Sequence, residues 1–152
     1  MKRSFNTFTT FSFVFFNLLL ANPAIAEKVA TPETLTSVET VTVDWVKANL
    51  DSSFLVDTRK KAVYAKGHIP GAINIPYKIK SPLTADADLS ADRFDIDKLP
   101  QDKAAKIIVY CHAEYCWNSY KASRKMSDAG YSQIYRFRDG YPAWEGAGLP
   151  VE

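Results

Sequence analysis

Short apolar or β-branched runs alternate along the chain with segments of helical character, and this alternation constrains the fold most. Val38–Val43, Phe54–Val56, Ala72–Ile75, Lys106–Tyr110 and Gln133–Phe137 have the length and composition of strands. Asp44 is placed to cap a short helix carrying Trp45, Val46, Ala48 and Leu50. Lys60–Lys66 reads as a helix stopped by Gly67, and Asn118–Ala129 as a longer one stopped by Gly130. Asp139-Gly140 turns the chain into a last short helix holding Trp144. Such alternation predicts an α/β fold, with a mainly parallel sheet of about five strands and helices on both faces. Residues 77–105, with Pro82, Pro100 and the acids Asp86, Asp88, Asp92, Asp95 and Asp97 among them, are expected to form a long loop with one helical turn.

The chain begins in a different register. Lys2 and Arg3 precede the run Phe11–Ala21, and Ala24-Ile25-Ala26 places small residues at the positions a signal peptidase requires. That run is shorter than the roughly 20 residues needed to span a bilayer. Residues 1–26 are therefore expected to be a cleaved signal peptide, leaving no stable membrane anchor and a periplasmic product. Residues 27–37 read as a polar leader, and 38–152 as one domain. With Lys2 and Arg3 removed, the 19 basic residues fall to the number of the 17 acidic ones. No basic stripe is present, so nucleic acid is excluded as the expected partner.

Two cysteines are available for chemistry, Cys111 and Cys116. A disulfide between them would close too short a loop to constrain the unfolded chain much. Cys111 ends the clearest strand and is followed by a short loop and a helix start. Loop amides and a helix dipole aimed at a sulfur favour its thiolate, a nucleophile or the carrier of an extra sulfur atom. His112, Asn118 and Ser119 are polar neighbours that can add hydrogen bonds. Two histidines, and a Cys-x4-Cys pair, are too little material for a metal site.

At these residues the chain resembles the rhodanese homology domain, over nearly all of the mature sequence, residues 27–152. Val56-Asp57-Thr58-Arg59, Tyr64 and Gly67-His68-Ile69-Pro70-Gly71-Ala72-Ile73-Asn74-Ile75-Pro76 are similar to the family's first signature. Val109-Tyr110-Cys111 is similar to its strand and active cysteine. Gly130-Tyr131, then Ile134 through Gly140, Trp144 and Gly148-Leu149-Pro150-Val151, resemble its C-terminal pattern. The resemblance implies a sulfurtransferase fold with Cys111 as the persulfide-forming nucleophile. It implies a substrate-binding loop of His112, Ala113, Glu114, Tyr115, Cys116, Trp117, Asn118 and Ser119. Asp57 and Arg59 are expected to pair and shape the site.

The loop departs from the family. It contains no glycine and no arginine, and is about two residues longer if Ser119 takes the usual serine position. Val63 stands where an acid is usual, and Tyr141 where a second glycine is. Cys116-Trp117-x-Ser119 is similar to an element of a rhodanese-related subgroup linked to pyrroloquinoline-quinone-dependent catabolism. A phosphatase reading is excluded, because the residue after Cys111 and five more is Trp117 and not Arg.

Three functions follow as expectations. In the first, a small sulfur-containing anion such as thiosulfate, or a persulfide, places sulfur on Cys111, and cyanide or a thiol-bearing acceptor protein removes it. This covalent catalysis requires no cofactor. In the second, Cys116 is a resolving thiol and the protein cycles a Cys111–Cys116 disulfide. In the third, the domain binds a sulfur species or an anion without catalysis.

Overall fold

The computed structural model describes residues 28–152, so the signal-peptide reading lies outside the described residues. Five strands form one sheet: β1 (Val38–Thr40), β2 (Phe54–Asp57), β3 (Ile73–Asn74), β4 (Ile107–Tyr110) and β5 (Ile134–Phe137). Their order is β1-β5-β4-β2-β3 and every pairing is parallel. Among the described residues three α-helices lie between strands, α1 (Val43–Asn49), α2 (Lys61–Tyr64) and α3 (Trp117–Asp128), and a fourth, α4 (Gly140–Gly146), follows β5.

Strand β4 lies in the middle, and all four of its residues are buried. Successive side chains point to opposite faces of a strand. Ile108 and Tyr110 accordingly join Val46, Leu55, Phe137 and Trp144 on one face. Ile107 and Val109 join Val56, Ala122, Met126 and Ile134 on the other. The two cores explain why β4 reads as a continuous apolar run rather than an alternating one.

Boundaries differ from expectation where a side chain intervenes. Strand β1 stops at Thr40 because Thr42, not Asp44, caps α1; its hydroxyl accepts from the Trp45 amide at 3.3 Å. Helix α3 begins at Trp117, one residue early, with Cys116 as its N-cap. Helix α2 is a single turn.

Residues 77–105 contain the expected turn, at Ile96–Lys98, but they are fastened to α3. Asp92 is 4% exposed and accepts from the Tyr77 hydroxyl, the Lys80 and Ser81 amides and the Ser81 hydroxyl at 2.6–2.8 Å. Lys121, fully buried on α3, donates to Ser81 Oγ and the Pro82 carbonyl, both at 2.6 Å. Burial alone would raise the Asp92 pKa. The donors outweigh it and hold the carboxyl below the ordinary carboxylate range.

Candidate functional site

The carboxyl ends of β2, β4 and β5 lie level: Asp57 pairs with Tyr110, and Tyr110 with Phe137. The turns that follow bring Arg59, Cys111 and Gly140 to one edge of the sheet, where sites of open α/β sheets form. The Thr58 amide and hydroxyl both donate to the Tyr110 carbonyl, at 3.0 and 2.8 Å. The Tyr141 amide donates to the Cys111 carbonyl at 2.9 Å. Gly140, at φ +65°, permits that approach, since a Cβ there would collide with the Cys111 and His112 carbonyls.

Cys111 and Cys116 are joined by a disulfide, with Cα atoms 6.2 Å apart, inside the range of about 4.4–6.8 Å that such bonds occupy. The intervening loop closes with a hydrogen bond from the Cys116 amide to the Ala113 carbonyl at 2.8 Å. Cys111 is 2% exposed and Cys116 is half-buried at the start of α3. The Cys116 side chain makes no capping hydrogen bond.

The remaining loop residues divide in two. His112 and Tyr115 are exposed, and Ala113 lies beside them on the same groove wall as Cys116. Partial desolvation of the ring, and then the Arg59 cation, hold the His112 pKa below its ordinary value. Trp117 and Ser119 are instead buried. The Trp117 ring meets Tyr120 edge-on, 5.3 Å between centroids. Asn118 donates to the Thr58 carbonyl at 3.1 Å, which ties α3 to the turn after β2.

Asp57 and Arg59 form a buried ion pair at 2.6 Å. Arg59 also donates to the Gly67 carbonyl at 2.8 Å, and its guanidinium lies 4.2 Å from the Tyr141 ring centroid. The pair is satisfied internally, so it braces three turns at this edge of the sheet.

Sequence reasoning missed the chain's contribution before β1. Thr31 is 2% exposed, and its amide and hydroxyl both donate to the Glu114 carbonyl, at 2.8 and 2.7 Å. Trp117 Nε1 donates to the Val29 carbonyl at 3.1 Å, and Arg136 donates to the Pro32 carbonyl at 2.8 Å. Residues 29–32, read as polar leader, therefore pack on the cysteine loop. Leu83 reaches the same groove from the long loop. No periodicity marks either contact.

Comparison with known proteins agrees with this architecture. The rhodanese-like domain model matches residues 42–147. An HTH-type transcriptional regulator of Mycobacterium tuberculosis is 40% identical over 98 residues, which are 64% of this chain and 37% of that protein. The chain thus spans little more than a third of that relative. A sulfurtransferase of Allochromatium vinosum is 28% identical over 104 residues, 68% of this chain and 82% of its own. The solved thiosulfate sulfurtransferase of Pseudomonas aeruginosa superposes with a TM-score of 0.56 at 24% identity, over 76% of this chain and 20% of that one. A five-stranded parallel sheet whose central strand is followed directly by a cysteine, and a family match over most of the chain, lead to one assignment: this chain belongs to the rhodanese-like domain family.

Proposed function

We propose that this protein is an exported sulfurtransferase that carries sulfane sulfur on Cys111. The observation that supports this best is the place of Cys111, at the carboxyl end of the central strand β4 and one short loop before α3. Membership in the rhodanese-like family, with a sulfurtransferase among its relatives, supports sulfur transfer as the class of reaction. With thiosulfate, the Cys111 thiolate attacks the outer sulfur. The S–S bond of thiosulfate breaks, sulfite leaves with the electron pair, and a Cys111 persulfide remains. An acceptor thiolate then takes the terminal sulfur and returns Cys111 as thiolate.

The disulfide must be reduced before this cycle starts. The deciding experiment is intact-mass analysis of the reduced protein after thiosulfate. One added sulfur atom is expected, and it should be absent in Cys111→Ser. A protein that gains no sulfur from thiosulfate or from a persulfide donor overturns the reading. Export rests on Lys2-Arg3, the short apolar run and Ala24-Ile25-Ala26; N-terminal sequencing of the secreted protein should begin at Glu27.

The disulfide itself favours a second reading, a thiol redox protein that cycles Cys111–Cys116. Its test is separate: the oxidised protein should accept two electrons from a dithiol and regain its disulfide on reoxidation.

A further inference from the structure

The two sulfurs of the disulfide are not equally open to attack. Cys111 is 2% exposed beneath its loop. Cys116 lines a groove of about 710 Å³ that is open along one side. Val29, Leu83 and Tyr115 line the same groove and are 59%, 49% and 48% exposed. Among the described residues five large hydrophobic side chains stand exposed, and these are three of them. They come from three distant parts of the chain, so folding gathers them beside the more exposed of the two cysteines. Exposed apolar clusters of this kind mark binding surfaces.

We infer that an incoming thiolate attacks Cys116 from this groove, that Cys111 is the leaving sulfur, and that the thiol is carried on an apolar peptide segment of a partner protein. The inference rests on the thiol redox reading above. Thiolates attack a disulfide sulfur through a mixed disulfide, and access decides which sulfur is hit. The partner's first thiolate forms a bond to Cys116 Sγ. The Cys111–Cys116 bond breaks, and its electron pair leaves on Cys111. A second thiolate of the partner then attacks the partner's own sulfur in the mixed disulfide. Cys116 leaves as thiolate, at the N-terminus of the twelve-residue helix α3, where the dipole stabilises it. The partner's dithiol becomes a disulfide, and the protein's disulfide becomes a dithiol with the two protons.

The groove also argues for the kind of thiol. Its volume falls within the roughly 300–1,000 Å³ of sites that hold drug-sized groups, far more than an inorganic sulfur anion fills. Its open side leaves room for a segment that continues into a larger body. The wall is fixed in place, because the Val29 carbonyl is held by Trp117 Nε1. Lys28 adds one cation to the lining, which suits an acidic residue beside the apolar ones.

The experiment uses the oxidised protein and two probes, a cysteine peptide flanked by leucines and free cysteine. Acid quenching, alkylation and peptide mapping locate the adduct. The expected result is a mixed disulfide on Cys116 and an alkylated Cys111, with the peptide reacting about tenfold faster than free cysteine. That advantage should shrink in Leu83→Ser and in Val29→Ser, both changes at exposed positions that the fold does not need. A second measurement avoids the short life of the adduct. Cys111→Ser, which keeps Cys116, should form a stable mixed disulfide with an activated disulfide of the same peptide faster than Cys116→Ser does. An adduct on Cys111 overturns the inference and leaves the redox reading standing. A disulfide that no thiol opens overturns both. Equal rates for peptide and free cysteine overturn the role of the groove.

Discussion

The amide of Tyr141 donates to the carbonyl of Cys111 at 2.9 Å, directly after a glycine whose φ is +65°. That bond sets the turn after β5 against the cysteine loop. Gly140→Ala would introduce a methyl group into two carbonyl oxygens at a backbone angle that favours glycine. It should destabilise the protein by roughly 1–3 kcal/mol in urea denaturation. It should also slow disulfide exchange, since the Cys111 carbonyl has to move.

Asp92 should govern acid stability. Its folded pKa is depressed, so the stability it contributes is complete above the ordinary carboxylate pKa of about 4 and is lost as pH falls below that value. Asp92→Asn should flatten the decline of stability in that acid range. Asp92→Ala leaves Lys121 buried beside the Ser81 and Pro82 acceptors without its counter-charge, at a cost of about 3–5 kcal/mol. Urea midpoints measured against pH check both.

His112 should not set the pH dependence of thiol chemistry. Its pKa lies below the ordinary histidine value because of partial desolvation and the Arg59 cation, so it is neutral at pH 7 and above. The midpoint of the rate–pH profile should belong to the attacking small thiol, because the disulfide-bonded cysteines do not titrate. It should stay in place in His112→Asn when exchange with a small thiol is followed across neutral pH.

Reduction of the disulfide should leave the domain folded. The cysteines are five residues apart, and closing so short a loop contributes only about 2 kcal/mol by restricting the unfolded chain. Denaturation with and without reductant should differ by no more than that. A collapse of the fold on reduction would mean that the bond carries the structure rather than the chemistry.

Much of this architecture is legible in the residues. Ile107–Tyr110 is read correctly because four apolar residues in a row signal a strand buried on both faces. The last helix follows from Asp139-Gly140, and α3 from the run closed by Gly130. The alternation in the chain likewise carries the parallel order. Local polar chemistry was less legible: Thr42 displaces Asp44 as cap because its hydroxyl faces the Trp45 amide, which no composition rule weighs. Least legible were the contacts across long separations. Asp92 to Ser81, Lys121 to Pro82 and Thr31 to Glu114 join side chains or amides to groups that carry no periodic signal. The groove beside Cys116 is built from such contacts, so Val29 and Leu83 could be recognised only once the chain was folded.

The level ends of β2, β4 and β5 bear on how the chain tolerates changes of length. Asp57, Tyr110 and Phe137 sit in one row, and Arg59, Cys111 and Gly140 follow them after one to three residues. One residue inserted in any of these turns would shift a side chain out of that row, and with it the Asp57–Arg59 brace or the Tyr141–Cys111 bond. At the other end of the same strands, Ser53, Lys106 and Gln133 lead in from the opposite edge, away from the cysteine loop. Residues 84–86 at the tip of the long loop are exposed and equally remote from that row. Insertions and deletions among natural variants of this domain should therefore gather at that far edge and at that tip, and spare the three short turns.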